Sequence, residues 1–192
     1  MRRENIFGFL KDLSGVFVEI GTCWGGFAEW LRQNSSASAI LTVDPYRKFK
    51  DGYEDALNDM TQEQMDQKFH IVAQRLLPQG IIMIRETSYK ASCAIPDCSL
   101  AFCYIDGNHS YDAVLKDLVR WWPKIQPGGY LCGDDVEDYH KPHDDQGDLF
   151  VEHPGGGYGK YGVHQAIADF SRICPSFRYT LADNQFIARK AL

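Results

Sequence analysis

The feature that most constrains the fold is the alternation of short apolar runs with segments of helical spacing. The runs are residues 16–20, 39–43, 81–84, 100–105 and 130–132. They are continuous rather than alternating, as expected for strands that are covered on both faces of a sheet. Between them, apolar residues recur at intervals of three and four and give each predicted helix one apolar face. This order predicts an α/β domain built on a mainly parallel sheet.

The C-terminal part of the chain has a different pattern. Residues 163–170 carry a last amphipathic helical pattern, and residues 177–181 and 185–189 are short alternating runs. Asp183 and Asn184 lie between these two runs and favour the tight turn of an antiparallel hairpin. Five runs and two hairpin strands together predict a seven-stranded sheet with helices on both faces.

The composition limits the class of partner. A net charge of −6 argues against binding to phosphate backbones and favours a small-molecule substrate. No apolar run approaches the ~18 residues that cross a bilayer, and residues 1–13 lack the apolar centre of a signal peptide. Six scattered cysteines without a CxxC pair indicate reduced, mostly buried thiols. We expect a soluble cytoplasmic protein with one domain over residues 1–192, no nucleic-acid or membrane partner, and a homodimer as the alternative to a monomer.

Residues 16–26 combine an apolar strand that contains Glu19, a turn rich in glycine and the start of a helix. Glycine lets a backbone approach a ligand closely, and a helix N-terminus offers unpaired N–H groups to an anion. Gly21 and Gly25 therefore fit a nucleotide-like cofactor, although many α/β connections contain glycines. A dehydrogenase would have the GxGxxG pattern at this turn. In this chain, Cys23 stands where that pattern has its second glycine.

Carboxylates follow three of the predicted strands. Asp44 ends the second strand, where an acidic side chain can accept hydrogen bonds from both hydroxyls of a ribose; the alternative is a surface aspartate in a turn. Asp106 follows the fourth strand, and Asp134 and Asp135 follow the fifth. Three carboxylates that converge at one edge of a sheet would repel one another unless a cation such as Mg²⁺, Mn²⁺ or Ca²⁺ joined them. The alternative is that they cap a helix or orient a loop.

Together these motifs resemble the class I methyltransferases that depend on S-adenosylmethionine (SAM). The resemblance covers about residues 16–170 and is most specific in the IDGNHSY segment at 105–111 and the PGG…DD segment at 127–135. Within the class, the chain is similar in style to the metal-dependent O-methyltransferases of the macrocin, aminocoumarin-sugar and cephalosporin-tailoring type. The resemblance implies a Rossmann-like fold and SAM as the cofactor.

The resemblance also implies roles for individual residues, each by its place in the motifs. The implied cofactor residues are Glu19, Gly21, Thr22 and Gly25 around the methionine part, Asp44 on the ribose, Glu86, Thr87 and Ser88 near the adenine, and Asp106. The implied metal ligands, with Mg²⁺ as the expected ion, are Asp106, Asp134 and Asp135. The implied catalytic residues are Asp106 and His109, with His109 as general base; a histidine that only caps the next helix is the alternative.

The activity that these roles imply is methyl transfer to a hydroxyl of a small molecule, with a metal that positions the hydroxyl and lowers its pKa. The alternative from another class is a SAM-binding regulatory or partner protein without catalysis. A metallohydrolase is a third hypothesis, but the histidines that would build it lack HExxH or comparable spacing. These histidines are His109, His140, His143 and His153.

The polar stretch 139–162 contains several histidines, acidic residues and glycines and is long for a loop in a compact domain. With Tyr46, Phe49 and Tyr53, it is expected to cover the pocket as a lid. An ordinary exposed loop is the alternative.

Overall fold

The computed structural model describes residues 7–48, 60–136, 149–152 and 158–192. Its helices are α1 (Gly26–Asn34), α2 (Gln62–Leu76), α3 (Ser88–Ala94), α4 (Tyr111–Trp121) and α5 (Val163–Ile173). Its strands are β1 (Ser14–Ile20), β2 (Ser36–Val43), β3 (Ile81–Ile84), β4 (Leu100–Ile105), β5 (Ile125–Gly133), β6 (Leu149–Glu152), β7 (Tyr158–Tyr161), β8 (Tyr179–Ala182) and β9 (Gln185–Arg189). Strands and helices alternate from β1 to β5, as the apolar runs predicted.

Seven strands form one sheet in the order β3-β2-β1-β4-β5-β9-β8. Strands β1 to β5 are parallel to one another, β9 pairs antiparallel with β5, and β8 pairs antiparallel with β9. The order of the strands reverses between β1 and β4, which is where ligands bind in doubly wound sheets. The prediction of a mainly parallel seven-stranded sheet with a C-terminal antiparallel hairpin is confirmed.

Two apolar clusters cover the two faces of the sheet. On one face, α1 and α2 contribute buried side chains such as Phe27 and Leu76. On the other face, α4 and α5 contribute side chains such as Trp121 and Phe170. All six residues of β4 are buried, because this central strand lies between the two clusters. Helices therefore lie on both faces, as predicted.

Local signals explain where the helices near the carboxyl edge of the sheet begin. Thr87 caps α3, since its side chain accepts a hydrogen bond from the backbone N–H of Lys90. Thr61 and Gln64 form a capping box at the start of α2. Gly25 precedes α1 in a left-handed conformation, with φ of 73°, which glycine adopts without a steric cost. These starts hold the turns after β1 and β3 in place.

Part of the predicted polar loop is regular structure. Strands β6 and β7 pair antiparallel in a separate two-stranded sheet, in which their backbone groups satisfy one another. The expectation of an irregular segment over 139–162 is thus wrong for these two strands. Residues 139–148 and 153–157 of the proposed lid lie outside the described residues, and so do Phe49 and Tyr53. Of the other proposed lid residues, Tyr46 is buried, and its hydroxyl donates to the carbonyl of Cys23 at 2.9 Å. His140, His143 and His153 also lie outside the described residues. The lid role stays a prediction.

The cysteines are less buried than expected. Cys103 in β4 and Cys132 in β5 are fully buried, whereas Cys93 and Cys98 are exposed at the surface.

No helix in the ranges that the structure describes is both long and apolar enough to span a membrane.

Candidate active site

A cavity of about 480 Å³ lies at the carboxyl ends of β1, β2 and β4. Its volume falls within the ~300–1,000 Å³ range of small-molecule sites. Five of the residues that the resemblance implied for the site line this cavity: Gly21, Asp44, Thr87, Ser88 and Asp106. The fold therefore brings together segments that follow four different strands.

The other implied cofactor residues lie around the cavity rather than in its wall. Glu19 and Thr22 are buried beside the glycine turn. At Gly25, a Cβ would meet side chains of α2, so this glycine lets α1 and α2 pack closely. Glu86 is half-exposed and pairs with Lys90 one helical turn away, at 3.2 Å.

Gly21 brings the turn after β1 against the end of β4. Its φ is +94°, and a Cβ there would lie 1.9 Å from the carbonyl oxygen of Asp106. The backbone N–H of Asp106 donates to the carbonyl of Ile20 at 2.8 Å, and the N–H of Gly21 donates to Val43 at 2.8 Å. Only glycine fits this position, because both the conformation and the close approach exclude a side chain.

Asp44 holds two loops at the wall of the cavity. Its Oδ2 accepts from the backbone N–H of Cys23 at 2.9 Å, and its Oδ1 accepts from the backbone N–H of Tyr46 at 2.8 Å. Burial raises the pKa of Asp44, while these two N–H groups and the charges of Lys68 and Arg85 act in the opposite direction. Each carboxylate oxygen can accept a second hydrogen bond, so capacity for a ligand remains.

Lys68 is a lining residue that the sequence analysis missed. This residue is 3% exposed, and its Nζ donates to the Sγ of Cys23 at 3.3 Å. The ammonium also lies 4.8 Å from the ring centre of Trp24 and 5.9 Å from that of Tyr46. Helical spacing could have found it, because Lys68 falls on the same buried stripe of α2 as Met65.

His109 lies between two carboxylates. Its Nε2 is 3.4 Å from Oδ1 of Asp106, and its Nδ1 is 3.5 Å from Oδ2 of Asp135. His109 is 9% exposed and is not part of the cavity wall, whereas Asp106 is. His109 can therefore act on a ligand in the cavity through Asp106.

The three carboxylates implied as metal ligands do not form a metal-binding group. Among the described residues, no three His, Cys, Asp or Glu side chains are arranged to hold an ion. A divalent cation needs oxygens that converge on one point at about 2.0–2.6 Å. Here the His109 imidazole separates Asp106 from Asp135, and Asp134 accepts from the backbone N–H of Asp135 at 3.0 Å. The metal assignment of Asp106, Asp134 and Asp135 is thus not supported by the described residues.

The C-terminal hairpin supports Asp135. The side-chain amide of Asn184 donates to Oδ1 of Asp135 at 3.2 Å, and the carbonyl of Asn184 accepts from the N–H of Val136 at 3.0 Å. Asp135 itself has φ of +63°. The sequence predicted the turn at Asn184 but contained no signal for this contact.

Asp117 of α4 is a buried carboxyl at the α3 side of the cavity. It is 6% exposed and lines the cavity together with Ser88. The Oγ of Ser88 donates to Oδ1 of Asp117 at 2.5 Å and accepts from Nε1 of Trp121 at 2.8 Å. Burial raises the pKa of Asp117 to about 6, partly opposed by Ser88 and by the charge of Arg120.

The chain shares its fold with solved SAM-dependent methyltransferases. The chain belongs to the methyltransferase-domain family. The sequence pattern of this family matches residues 18–136, which is more than half of the chain. The matched region runs from β1 to just beyond β5 and so includes the glycine turn, Asp44, Asp106, His109 and Asp135.

One relative in sequence is the uncharacterized protein R132 of Acanthamoeba polyphaga mimivirus, which is 27% identical over 152 residues. The match covers 71% of this chain and 65% of that protein. The O-methyltransferase of Bacillus cereus in complex with SAH has a TM-score of 0.60 and 16% identity, covering 92% of this chain and 74% of that one. A SAM-dependent methyltransferase of Methanosarcina mazei has a TM-score of 0.58 and 12% identity, and the match covers 100% of this chain and 99% of that one. At these identities, the structural likeness shows the fold alone.

Proposed function

We propose that the protein binds SAM in this cavity and transfers a methyl group to a hydroxyl of a small molecule. The supporting observation is that one cavity is lined by the glycine turn at Gly21 and by the carboxylates Asp44 and Asp106. Ligands of doubly wound sheets bind at this edge, where the strand order reverses. The family supplies the reaction class, and the O-methyltransferase of Bacillus cereus shares the fold.

The proposed position of the cofactor follows the order of the strand ends. The methionine part lies at Gly21, where no side chain blocks the backbone. The ribose hydroxyls donate to Asp44, whose oxygens each have a free lone pair. The base lies toward the start of α3, at Thr87 and Ser88. The residues that shape these segments from outside the cavity are Glu19, Thr22, Gly25 and Glu86.

Methyl transfer to a hydroxyl asks two things of the protein: alignment of the acceptor oxygen and removal of its proton. When bound, SAM supplies an electrophilic methyl group on a sulfonium. Asp106 lines the cavity and can accept a hydrogen bond from the acceptor hydroxyl. The His109 imidazole, 3.4 Å from Asp106, can take up the proton through that carboxylate. This pair favours a hydroxyl over an amine, because a neutral amine can attack before it loses a proton.

The sequence analysis also assigned a divalent metal to the acceptor hydroxyl. The described residues supply no ligand group for it, so no step of the proposal uses a metal. Turnover measured before and after EDTA treatment separates the two hypotheses. We expect turnover to survive chelation. A loss of turnover that added Mg²⁺ restores would instead support the hypothesis of a divalent metal at the acceptor hydroxyl.

Calorimetric titration with SAM and with its demethylated product S-adenosylhomocysteine (SAH) tests the cofactor. A turnover assay that follows SAH release, run with a panel of hydroxylated and amine acceptors, tests the reaction. We expect both compounds to bind and turnover to occur with a hydroxyl acceptor. Failure of both to bind would exclude the proposed function.

Binding of SAM without turnover on any acceptor would favour the alternative of a regulatory or partner protein. Light scattering in the same samples tests whether the protein is a monomer or a homodimer.

A further inference from the structure

We propose that Asp117 recognises the exocyclic amine of the cofactor's adenine base and thereby sets the base specificity of the cavity. This inference rests on the proposed SAM-binding function. Neither the motifs nor the resemblance pointed to Asp117, which lies in the second half of α4.

The first observation is the placement of the carboxyl group. Asp117 is almost fully buried yet forms part of the cavity wall. Aspartate is rarely buried to this degree unless it has partners. Ser88 donates to Oδ1, and no described residue donates to Oδ2. One oxygen of Asp117 therefore has an acceptor site to offer to a ligand.

The second observation is that this carboxyl group is held in a fixed orientation. Ser88 has one hydroxyl proton, which it donates to Asp117, while it accepts the indole N–H of Trp121. The hydroxyl of Ser88 is thus oriented from both sides. Ser88 is the first residue of α3 and directly follows the cap residue Thr87. Its hydrogen bond therefore fixes the carboxyl of Asp117 at the part of the cavity wall where α3 begins, after the end of β3.

The position along the cavity points to the base. Asp44 follows β2 and is proposed to hold the ribose, so the base extends toward the next strand end, where α3 begins. Asp117 and Ser88 meet there. An ionised carboxylate only accepts hydrogen bonds. Adenine presents an amine donor at its C6 position, whereas 6-oxo purines present a carbonyl acceptor, which Asp117 would repel.

The protonation state makes this selectivity depend on pH. The charged and titratable groups that face Asp117 are Arg120 of its own helix and Cys103 of β4, and burial raises the pKa of the Cys103 thiol so that it stays neutral. Burial places the pKa of Asp117 at about 6. Above that pH the carboxylate accepts from an amine. Below it, the carboxylic acid can donate to a carbonyl, so the preference for the amine should decline.

The test compares SAH with S-inosylhomocysteine, in which oxygen replaces the exocyclic amine. Both are titrated by calorimetry at pH 8 and pH 5 into the wild type, Asp117→Asn, and the control Asp97→Asn. Asp97 is an exposed aspartate that pairs with Lys124 outside the cavity. An asparagine can either donate or accept, so it should discriminate poorly.

We expect the wild type to prefer SAH by about 100-fold at pH 8, since sites built for one polar group reject its counterpart strongly. The preference should fall by about tenfold at pH 5 and by a similar factor in Asp117→Asn at pH 8, while Asp97→Asn keeps it. A wild type without this preference overturns the inference even where Asp117→Asn fails to fold. An equal preference for SAH in the wild type and in Asp117→Asn overturns the inference as well. In both of these outcomes, binding of SAH would still support SAM as the cofactor. Absence of SAH binding to the wild type would instead overturn the proposed function, and the inference with it.

Discussion

The carbonyl oxygen of Asp106 lies 1.9 Å from the position that a Cβ on Gly21 would occupy. We expect Gly21→Ala to lower the free energy of unfolding by about 3 kcal/mol or more, because strain at positive φ alone costs about 1–3 kcal/mol. The overlap with backbone adds to that cost. Urea unfolding measures the loss.

Gly80→Ala is the matched control for this substitution. Gly80 also has positive φ, +74°, but no atom lies within 4 Å of its Cβ position. Only the left-handed conformation is then penalised, at about 1–2 kcal/mol. Equal losses in the two variants would contradict the close approach of Gly21 to Asp106.

Asp44→Ala should weaken the binding of both SAM and SAH. The expected loss is about 1–3 kcal/mol, the range for buried polar groups that lose a partner. Calorimetry gives the dissociation constants, and Asp97→Ala, which removes an exposed carboxyl, serves as the control. Unchanged affinity in Asp44→Ala would remove Asp44 from the cofactor site.

Lys68→Met should make cofactor binding sensitive to acid. The charge of Lys68 lowers the pKa of Asp44 against the effect of burial. Without this charge the pKa of Asp44 rises, so the carboxyl is protonated at a higher pH than in the wild type and then offers fewer lone pairs to the ribose. When the pH is lowered, we expect the SAH affinity of the variant to begin to fall at a higher pH than that of the wild type. Lys90→Met, which alters an exposed lysine, should follow the wild type.

His109→Gln tests the proton-transfer pair. We expect turnover to fall by about 10²–10⁴-fold, the usual contribution of general base catalysis, while SAH affinity changes little. His70→Gln, at an exposed position on α2, should retain full turnover. Normal turnover in His109→Gln would leave His109 a purely structural role.

Asp117→Asn should change the pH dependence of stability. The pKa of Asp117 is raised from 3.8 to about 6, so the folded state favours the protonated form. This contribution to stability is complete below about pH 4 and is lost as the pH rises through 6. Relative to the variant, the wild type should lose on the order of 2–3 kcal/mol between pH 4 and pH 7, at 1.36 kcal/mol per pKa unit. Chemical unfolding at a series of pH values measures the difference, and a constant difference would contradict the raised pKa.

The amino-acid sequence alone determined the architecture of the protein. Continuous apolar runs predicted the five parallel strands, because a strand covered on both faces has no polar side. Asp183 and Asn184 predicted the hairpin, and both have positive φ, 46° and 67°, as a tight hairpin turn requires. Glycine and acidic residues after the strands indicated the edge at which the cavity lies. These signals are local, since each depends on neighbours in the chain.

Only the tertiary structure decided which side chains of the site lie next to one another. It placed His109 between Asp106 and Asp135 where the sequence suggested a shared cation. It also buried two charged side chains, Lys68 and Asp117, in the wall of the cavity. A charged residue on an amphipathic helix is ordinarily exposed, and which one faces a cavity depends on how distant elements pack. Periodicity specifies the face of a helix, but the partners on that face come from other strands and helices that the chain brings together only on folding.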